Sequence, residues 1–168
     1  GFTGSQNLVE PGYRKPRNHR IGRKWVELMS RLEGPVVDEI NVVFATDWNM
    51  ETDENLEQEL SLYEGTSKPG DITCQVVPSG PGFTTENNLR LFTSLLYSAS
   101  ERISITSPYF VPDDSLLYAI TTAAQRGVQV ELFVSERGDQ FLVDHAQRSY
   151  YEALLDAGIR IWQYPAPL

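Results

Sequence analysis

Four short segments of the sequence are built from small residues, hydroxyl groups and amides, the types that can hold a phosphate group. Such segments bind phosphate oxygens through backbone N–H groups and short side-chain donors. Each segment also fits an ordinary turn, because glycine, serine and proline favour turns. The segments indicate a binding site only if the fold brings them close together. The segments are Gly4-Ser5-Gln6-Asn7, Ser79-Gly80-Pro81-Gly82, Ser107-Pro108-Tyr109-Phe110 and Ser135-Glu136-Arg137-Gly138-Asp139.

Other catalytic groups are scarce in this sequence. The chain has two histidines, His19 and His145, and the single cysteine Cys74, so an internal disulfide is impossible and a metal site has few ligands. His19 lies among basic residues and is interpreted as solvated, while His145 follows Asp144 within a predicted helix. Neither a Gly-rich phosphate loop nor a serine nucleophile elbow is present. The sequence therefore contains no complete catalytic constellation.

Strands and helices alternate in the second half of the chain, and they must position these segments. The hydrophobic pattern predicts four strands, at 72–77, 102–107, 128–134 and 159–164. It predicts three helices between them, over 89–99, from Asp113 or Asp114 to Gly127, and over 140–157. This order indicates an α/β fold with a parallel sheet, whose carboxyl edge is the usual ligand site. The four segments each follow a predicted strand, so we expect them on one edge.

The first third of the chain is less regular. The sequence predicts a strand that enters Gly4, a mobile loop over 8–22, and a strand from Trp25 to Glu33. Gly34-Pro35 ends that strand, and proline suits the first turn of a helix that continues to Trp48.

Composition indicates a globular chain of acidic character. The 168 residues are 40% hydrophobic and carry 14 Lys and Arg against 23 Asp and Glu, a net charge of −9. Residues 1–35 contain seven bases and three acids, a net of +4, whereas the rest of the chain is strongly acidic. No apolar run approaches the about 20 residues of a membrane span. An acidic chain is a poor partner for nucleic acid, although the basic stretch from Arg14 to Lys24 favours a polyanion such as anionic lipid.

Several motifs, in order and spacing, resemble the bacterial cardiolipin synthases of the phospholipase D superfamily over nearly the whole chain. Gly4-Ser5-Gln6-Asn7 resembles the Gly-Ser-x-Asn tail that follows the superfamily's His-x-Lys-(x)4-Asp motif. The other matching segments are Trp25-Val26-Glu27, Glu33-Gly34-Pro35-Val36-Val37, Phe44-Ala45-Thr46-Asp47-Trp48, Val77-Pro78-Ser79-Gly80-Pro81-Gly82, Ser107-Pro108-Tyr109-Phe110-Val111-Pro112, Ala123-Ala124-Gln125-Arg126-Gly127-Val128-Gln129-Val130 and Arg148-Ser149-Tyr150-Tyr151-Glu152-Ala153-Leu154-Leu155-Asp156-Ala157-Gly158.

The resemblance implies an enzyme of two lobes, each of which supplies one His-x-Lys-(x)4-Asp motif to a shared site. One histidine would form a phosphohistidine and the other would protonate the leaving alkoxide. Lysines and asparagines would hold the phosphate oxygens, and no metal or other cofactor is implied. The implied reaction moves a phosphatidyl group between two phosphatidylglycerol molecules and releases glycerol.

The chain departs from the family pattern at the catalytic motifs. His19 is followed two positions later by Ile21 and His145 by Gln147, so neither begins a His-x-Lys pair. We therefore expect a segment between the two motifs, with both lobes incomplete, no catalytic residue and no activity of its own. Glu27 occupies a position where the family often has aspartate. The expected phosphate or substrate contacts are Ser5 and Asn7 first, then Gly4, Ser79, Gly80, Tyr109, Phe110 and Asp139.

The resemblance also predicts domain boundaries and partners. Residues 1–65 would end the first lobe, 66–71 would connect the lobes, and 72–168 would begin the second phospholipase D-like lobe. The expected partners are phosphatidylglycerol and an anionic membrane surface, with peripheral or cytoplasmic-side attachment, no nucleic acid, and self-association through sheet edges. Two alternatives stay open: another phospholipase D-type phosphodiesterase or nuclease, and a non-catalytic α/β module that binds a phosphorylated ligand.

Overall fold

A computed structural model describes residues 1–56, 70–80, 82–83, 85–138 and 140–165. Strands and helices alternate through most of these residues, as an α/β fold requires. In chain order the elements are β1 (Phe2–Gly4), α1 (Pro16–Ile21), β2 (Met29–Arg31), α2 (Val36–Thr52), α3 (Asn87–Ser98), β3 (Arg102–Thr106), α4 (Asp114–Gln125), β4 (Gln129–Ser135), α5 (Phe141–Ser149), α6 (Tyr151–Asp156) and β5 (Arg160–Tyr164).

A parallel sheet of three strands, in the order β3-β4-β5, organises the second half of the chain. Ile105 lies opposite Leu132, which in turn lies opposite Ile161. Successive side chains of a strand point to opposite faces, and in β4 Val130, Leu132 and Val134 are buried. Helix α4 packs against β4 and α6 packs against β5. Each fully buried aliphatic side chain of this core contributes about 1.5–3 kcal/mol, so the sheet is a firm support for the loops at its edge.

The termini of two helices are fixed by specific hydrogen bonds. The carboxylate of Asp113 accepts the backbone N–H of Leu116 at 2.8 Å, which is an N-cap for α4. The guanidinium of Arg126 donates to the backbone oxygens of Tyr97 and, at 2.8 Å, of Ala99. Because the last carbonyls of a helix lack intrahelical partners and carry partial negative charge, Arg126 stabilises the end of α3.

A small antiparallel sheet forms at the start of the chain, where β1 pairs with β2. The backbones approach most closely at Gly4: a Cβ atom placed there would lie 2.2 Å from the carbonyl oxygen of Leu28. Glycine is therefore required at this position for steric reasons. Helix α2 begins directly after Pro35, as the sequence predicts, and ends at Thr52 before Asp53, which adopts the left-handed conformation.

Three predicted elements differ from the structure in the described residues. No strand forms at 72–77, where Ile72 is exposed and the backbone N–H of Val76 donates to Glu39 instead of to a strand. Alternating hydrophobicity indicates which face of a strand would be buried, but it does not determine the strand with which the segment would pair. The strand expected from Trp25 to Glu33 is confined to Met29–Arg31. The predicted helix over 140–157 is divided at Tyr150 into α5 and α6.

The predicted loop over 8–22 ends in a short helix, α1, which the sequence pattern did not predict. Pro16 occupies the first turn and Gly22 ends the helix with a left-handed φ of 69°. The buried side chain of Asn18 donates to the backbone oxygen of Gly12 at 2.9 Å. Proline in the first turn and glycine at the end therefore suit a short helix within the segment that was predicted to be a loop.

The backbone forms two compact units, and each unit is built from two separate segments of the chain. One unit comprises 1–8 and 27–88, and the other comprises 9–26 and 89–168. The segment 9–26 thus belongs with the three-stranded sheet. The predicted lobe boundaries, at 1–65, 66–71 and 72–168, stay a prediction, and part of the predicted connector lies outside the described residues.

Candidate functional site

Two loops leave the carboxyl ends of the neighbouring parallel strands β3 and β4, as the sequence predicts for a ligand site. The first loop begins at Ser107, whose backbone N–H donates to the carbonyl oxygen of Phe133 at 3.0 Å. The Ser107 hydroxyl then accepts the backbone N–H of Tyr109 at 3.3 Å. Next, the backbone N–H of Phe110 donates to the side-chain oxygen of Gln147 at 2.8 Å. These bonds hold the Tyr109 ring at the sheet edge.

The loop after β4 is held from helix α5. Arg148 donates to the backbone oxygen of Glu136 at 3.0 Å and to the carboxylate of Asp144 at 3.0 Å. The hydrogen bond that the Arg148 guanidinium donates to the Asp144 carboxylate raises the pKa of Arg148 above its ordinary value. The next residue of this loop, Arg137, is exposed, so α5 positions the loop while leaving this guanidinium at the surface.

A narrow pocket lies at these strand ends, within the unit that contains the parallel sheet. Its interior has room for about one water-sized group. The two loops and the segment 9–26 all contribute to it. The lining residues are Arg23, Trp25, Pro108, Tyr109, Ser135, Arg137 and Gly138.

Three aromatic rings pack in series, and two of them, Trp25 and Tyr109, line the pocket. The ring of Trp25 lies 6.3 Å from that of Tyr109 and 5.8 Å from that of Tyr13, measured between centroids. Such tilted and edge-on pairs are favourable arrangements of aromatic rings. The backbone N–H of Trp25 also donates to the carbonyl oxygen of Pro11. The rings therefore attach the segment 9–26 to the loop after β3.

Arg23 is the most unusual group of the pocket. Its Nη2 donates to the backbone oxygen of Arg137 at 3.3 Å. Its Nε is buried and has no hydrogen-bond partner among the described residues. A buried N–H without an acceptor costs about 1–3 kcal/mol.

The predicted phosphate segment at the start of the chain has a different setting. The Ser5 hydroxyl donates to the Glu27 carboxylate at 2.6 Å and accepts the backbone N–H of Leu28 at 3.0 Å. A serine has one O–H to donate, so in this structure that donor is used by Glu27. Gly4 lies in β1 against Leu28, and Asn7 is exposed beyond the strand.

The remaining predicted site residues differ in exposure. Ser79 and Gly80 are exposed in a turn where the backbone N–H of Phe83 donates to the Gly80 oxygen at 2.9 Å. Tyr109 lines the pocket, whereas the Phe110 side chain is buried in the hydrophobic core. Asp139 lies outside the described residues.

The structure does not bring the four predicted segments to one sheet edge. Gly4-Ser5-Gln6-Asn7 follows an antiparallel strand of the two-stranded sheet, and Ser79-Gly80-Pro81-Gly82 follows no strand. Only the segments beginning at Ser107 and Ser135 follow neighbouring parallel strands. The expectation failed because it required a strand at 72–77 and a parallel β1, neither of which forms.

The two histidines have structural partners. His19 contacts the Glu10 carboxylate at 3.2 Å. Backbone N–H groups of Arg14 and Gly12 donate to the same carboxylate and lower its pKa. The His145 ring packs edge-on against Phe141 at 4.3 Å. Within the described part of the chain, no cluster of three or more His, Cys, Asp or Glu side chains could hold a metal ion.

Sequence reasoning missed Arg23 and Trp25 as site residues. Arg23 was visible only as one base among the seven of residues 1–35. Arg137 and Ser135 were present in a predicted strand-end segment, but not as individual candidates. No local signal joins Arg23 to Arg137, which lies 114 positions later.

Comparison with known proteins identifies clear relatives. Residues 92–168 match the family described as "Cardiolipin synthase, PLD-like domain". The chain is 41% identical to a cardiolipin synthase A from Serratia proteamaculans, over 97% of this chain and 34% of that protein. It is 39% identical to a cardiolipin synthase A from Edwardsiella ictaluri, over 99% of this chain and 34% of that protein. The chain thus spans about one third of the length of these relatives.

A solved structure, that of polyphosphate kinase from Porphyromonas gingivalis, overlaps 51% of this chain and 12% of its own chain. The TM-score of 0.34 and the identity of 22% are too low for this overlap to bear on fold or function. Among the residues that the structure describes, no helix has the length and apolar character needed to cross a membrane.

Proposed function

We propose that this chain is a segment of a phosphatidyltransferase that makes cardiolipin. Residues 92–168 belong to the phospholipase D-like domain family of the cardiolipin synthases, and almost the whole chain is similar to part of those enzymes. The observation that carries the proposal is the 41% identity over 97% of the chain. The parallel sheet with ordered loops at its carboxyl edge is consistent with this assignment.

The proposed reaction joins two phosphatidylglycerol molecules. A histidine nitrogen bonds to phosphorus while the bond from phosphorus to the glycerol oxygen breaks, and a second histidine protonates the departing glycerol. A headgroup hydroxyl of the second phosphatidylglycerol then attacks phosphorus, gives its proton to the second histidine and frees the first. The products are one cardiolipin and one glycerol.

The histidines of this reaction are not among the residues of this chain. His19 and His145 lack a lysine two positions later, and each is held by a neighbouring side chain. We therefore expect the isolated 168-residue chain to be inactive, and the chemistry to belong to a longer protein that includes it. For that protein, contact of Ser5 and Asn7 with the phosphate, and separately of Tyr109 with the substrate, stays a proposal.

We also propose that the longer protein acts at a membrane surface, by attraction between bases of segment 9–26 and anionic lipid. Arg17 and Arg20 are exposed on helix α1, beside exposed Ile21. Basic residues near an anionic surface contribute about 1 kcal/mol each. We expect the longer protein to co-sediment with phosphatidylglycerol vesicles, less so as the salt concentration rises, and not to bind phosphatidylcholine vesicles.

Self-association through the edges of the parallel sheet stays part of the proposal, and analytical ultracentrifugation tests it.

Product analysis tests the proposed reaction. The longer protein is incubated with phosphatidylglycerol that carries a radiolabelled headgroup glycerol, and lipids and water-soluble products are separated. We expect cardiolipin and free glycerol in equal amounts. Phosphatidic acid with free glycerol would instead indicate a hydrolase, and cleavage of DNA without lipid turnover would indicate a nuclease. Either result would overturn the proposed transfer.

A further inference from the structure

The last turn of helix α5 holds both of the loops that leave the carboxyl ends of β3 and β4. The Gln147 side chain accepts the backbone N–H of Phe110, in the loop after β3, at 2.8 Å. The next residue, Arg148, donates to the backbone oxygen of Glu136, in the loop after β4, at 3.0 Å. Both hydrogen bonds go to main-chain atoms, so they fix the path of each loop whatever side chains it carries. Two consecutive residues of one helix therefore position two loops that come from different strands.

Each of these two side chains is itself held by a second partner. Gln147 is buried, and its amide nitrogen donates to the Tyr151 hydroxyl at 2.9 Å, which fixes the direction of its side-chain oxygen. The Nε of Arg148 donates to the Asp144 carboxylate at 3.0 Å, one helical turn earlier. A side chain whose rotamer is locked by a second hydrogen bond positions its neighbour more accurately than a free one. The two contacts therefore attach the loops firmly to α5.

The backbone of the loop after β4 also packs closely on α5. A Cβ atom placed at Gly138 would lie 3.0 Å from the Cβ atom of Asp144, closer than such atoms normally approach. Arg148 and Gly138 thus attach this loop to α5 at two places, and a displacement of α5 would carry the loop with it. The loop after β3 would respond as well, because Phe110 is bonded to the same helical turn. Contiguous packed and hydrogen-bonded groups of this kind can carry energetic coupling between two sites.

We propose that Gln147 and Arg148 are positioning residues that together set the separation of the two loops, and through it the access of substrate to the carboxyl edge of the sheet. The effect on substrate rests on the proposed function, in which Tyr109 of the loop after β3 contacts the lipid. Neither positioning residue needs to touch the substrate, because each acts through the loop that it holds. Removal of an interaction that serves binding more than chemistry raises KM with little change in kcat, and this is the expected kinetic signature.

NMR of the 168-residue chain tests the coupling of the loops. Gln147→Met removes the hydrogen bonds of the side chain but keeps an unbranched chain of similar length. We expect it to shift the amide resonance of Phe110 and also those of Glu136 and Arg137, although these lie in the loop that Arg148 holds. Arg148→Gln should likewise shift resonances in both loops. Shifts confined to the loop that each residue holds would show that the loops are independent, and would overturn the proposal.

Kinetics of the longer protein test the effect on substrate. Gln147→Met and Arg148→Gln should each raise the KM for phosphatidylglycerol in mixed micelles about tenfold, with a smaller change in kcat. If both residues maintain the same loop separation, the double variant should raise KM by less than the product of the two single effects. Arg148→Lys should restore part of the loss, because it keeps a cationic donor. Leu142→Gln, at an exposed position of the same helix, is the matched control and should leave KM unchanged.

The two measurements distinguish failure of this proposal from failure of the proposed function. If the longer protein makes no cardiolipin, the phosphatidyl transfer and the effect on substrate both fail, while the NMR result still decides whether α5 couples the loops. If the longer protein is active, a loss of kcat alone, or single effects on KM that simply multiply, would overturn the shared positioning role. If Gln147→Met impairs folding, Arg148→Gln decides both measurements, because the Arg148 side chain is 45% exposed.

Discussion

The side-chain oxygen of Gln147 accepts the backbone N–H of Phe110 at 2.8 Å, although 37 positions separate the two residues in the chain. Gln147 is buried, and its amide nitrogen also donates to the Tyr151 hydroxyl at 2.9 Å. A single side chain of α5 therefore fixes the loop that leaves β3 and presents Tyr109 to the pocket. Because buried polar groups must be paired, this side chain is a positioning residue for the loop.

Replacement of Gln147 by leucine should destabilise the chain by about 1–3 kcal/mol, because the Phe110 N–H loses its buried acceptor. Leucine favours helix, so a loss of helix propensity would not explain the effect. Urea unfolding measures the change, and Gln125→Leu at an exposed position of α4 is the control. Equal stability of the two variants would show that the Gln147 hydrogen bond is unimportant.

Replacement of Arg126 by alanine should destabilise helix α3 at its end by about 1 kcal/mol, because the carbonyls of Tyr97 and Ala99 lose their cationic donor. Amide hydrogen exchange should accelerate in the last turn of α3. Arg126→Lys should restore part of the protection, because it keeps the charge but not the planar donor set. Unchanged exchange in Arg126→Ala would contradict the capping role.

Replacement of Gly4 by alanine should disrupt the pairing of β1 with β2, because the new Cβ atom would lie 2.2 Å from the Leu28 oxygen. Overpacking of this kind costs about 1–3 kcal/mol. Gly70→Ala is the matched control, since a Cβ atom there meets nothing within 4 Å. NMR cross-strand contacts between Thr3 and Ser30 should disappear only in Gly4→Ala, and their survival there would argue against the steric requirement.

Lowering the pH should destabilise the segment 9–26, because the Glu10 carboxylate becomes protonated. Hydrogen bonds from the backbone N–H groups of Arg14 and Gly12 lower the pKa of Glu10 from its ordinary value of 4.5. A lowered pKa means that the carboxylate stabilises the folded state above pH 4.5, and that this stabilisation is lost as the pH falls through the lower value. The amide proton shifts of Gly12 and Arg14 should titrate below pH 4.5.

Glu10→Gln should abolish this titration, because the amide keeps an acceptor oxygen but carries no charge. Glu101→Gln, a change at an exposed position of the same unit, should leave it intact. Retention of the same titration in Glu10→Gln would assign it to another group.

The sequence predicted the parallel sheet of the second half well, because its signals are local. The alternation in β4, the Asp113 cap and the left-handed Gly127 each follow from neighbouring residues. The strand at 72–77 was predicted wrongly because pairing depends on distant residues. Likewise, the pocket could not be predicted, because Arg23 and Arg137 come together only through the tertiary fold. The family was predicted from motif order, and residues 92–168 match the model of that family.

A side-by-side assay of the 168-residue chain and the longer protein that contains it tests the proposed function most sharply. Both are given radiolabelled phosphatidylglycerol in vesicles, and cardiolipin is measured over time. We expect cardiolipin and glycerol from the longer protein and no turnover by the chain alone. Turnover by the chain alone, or no cardiolipin from the longer protein, would contradict the proposed function.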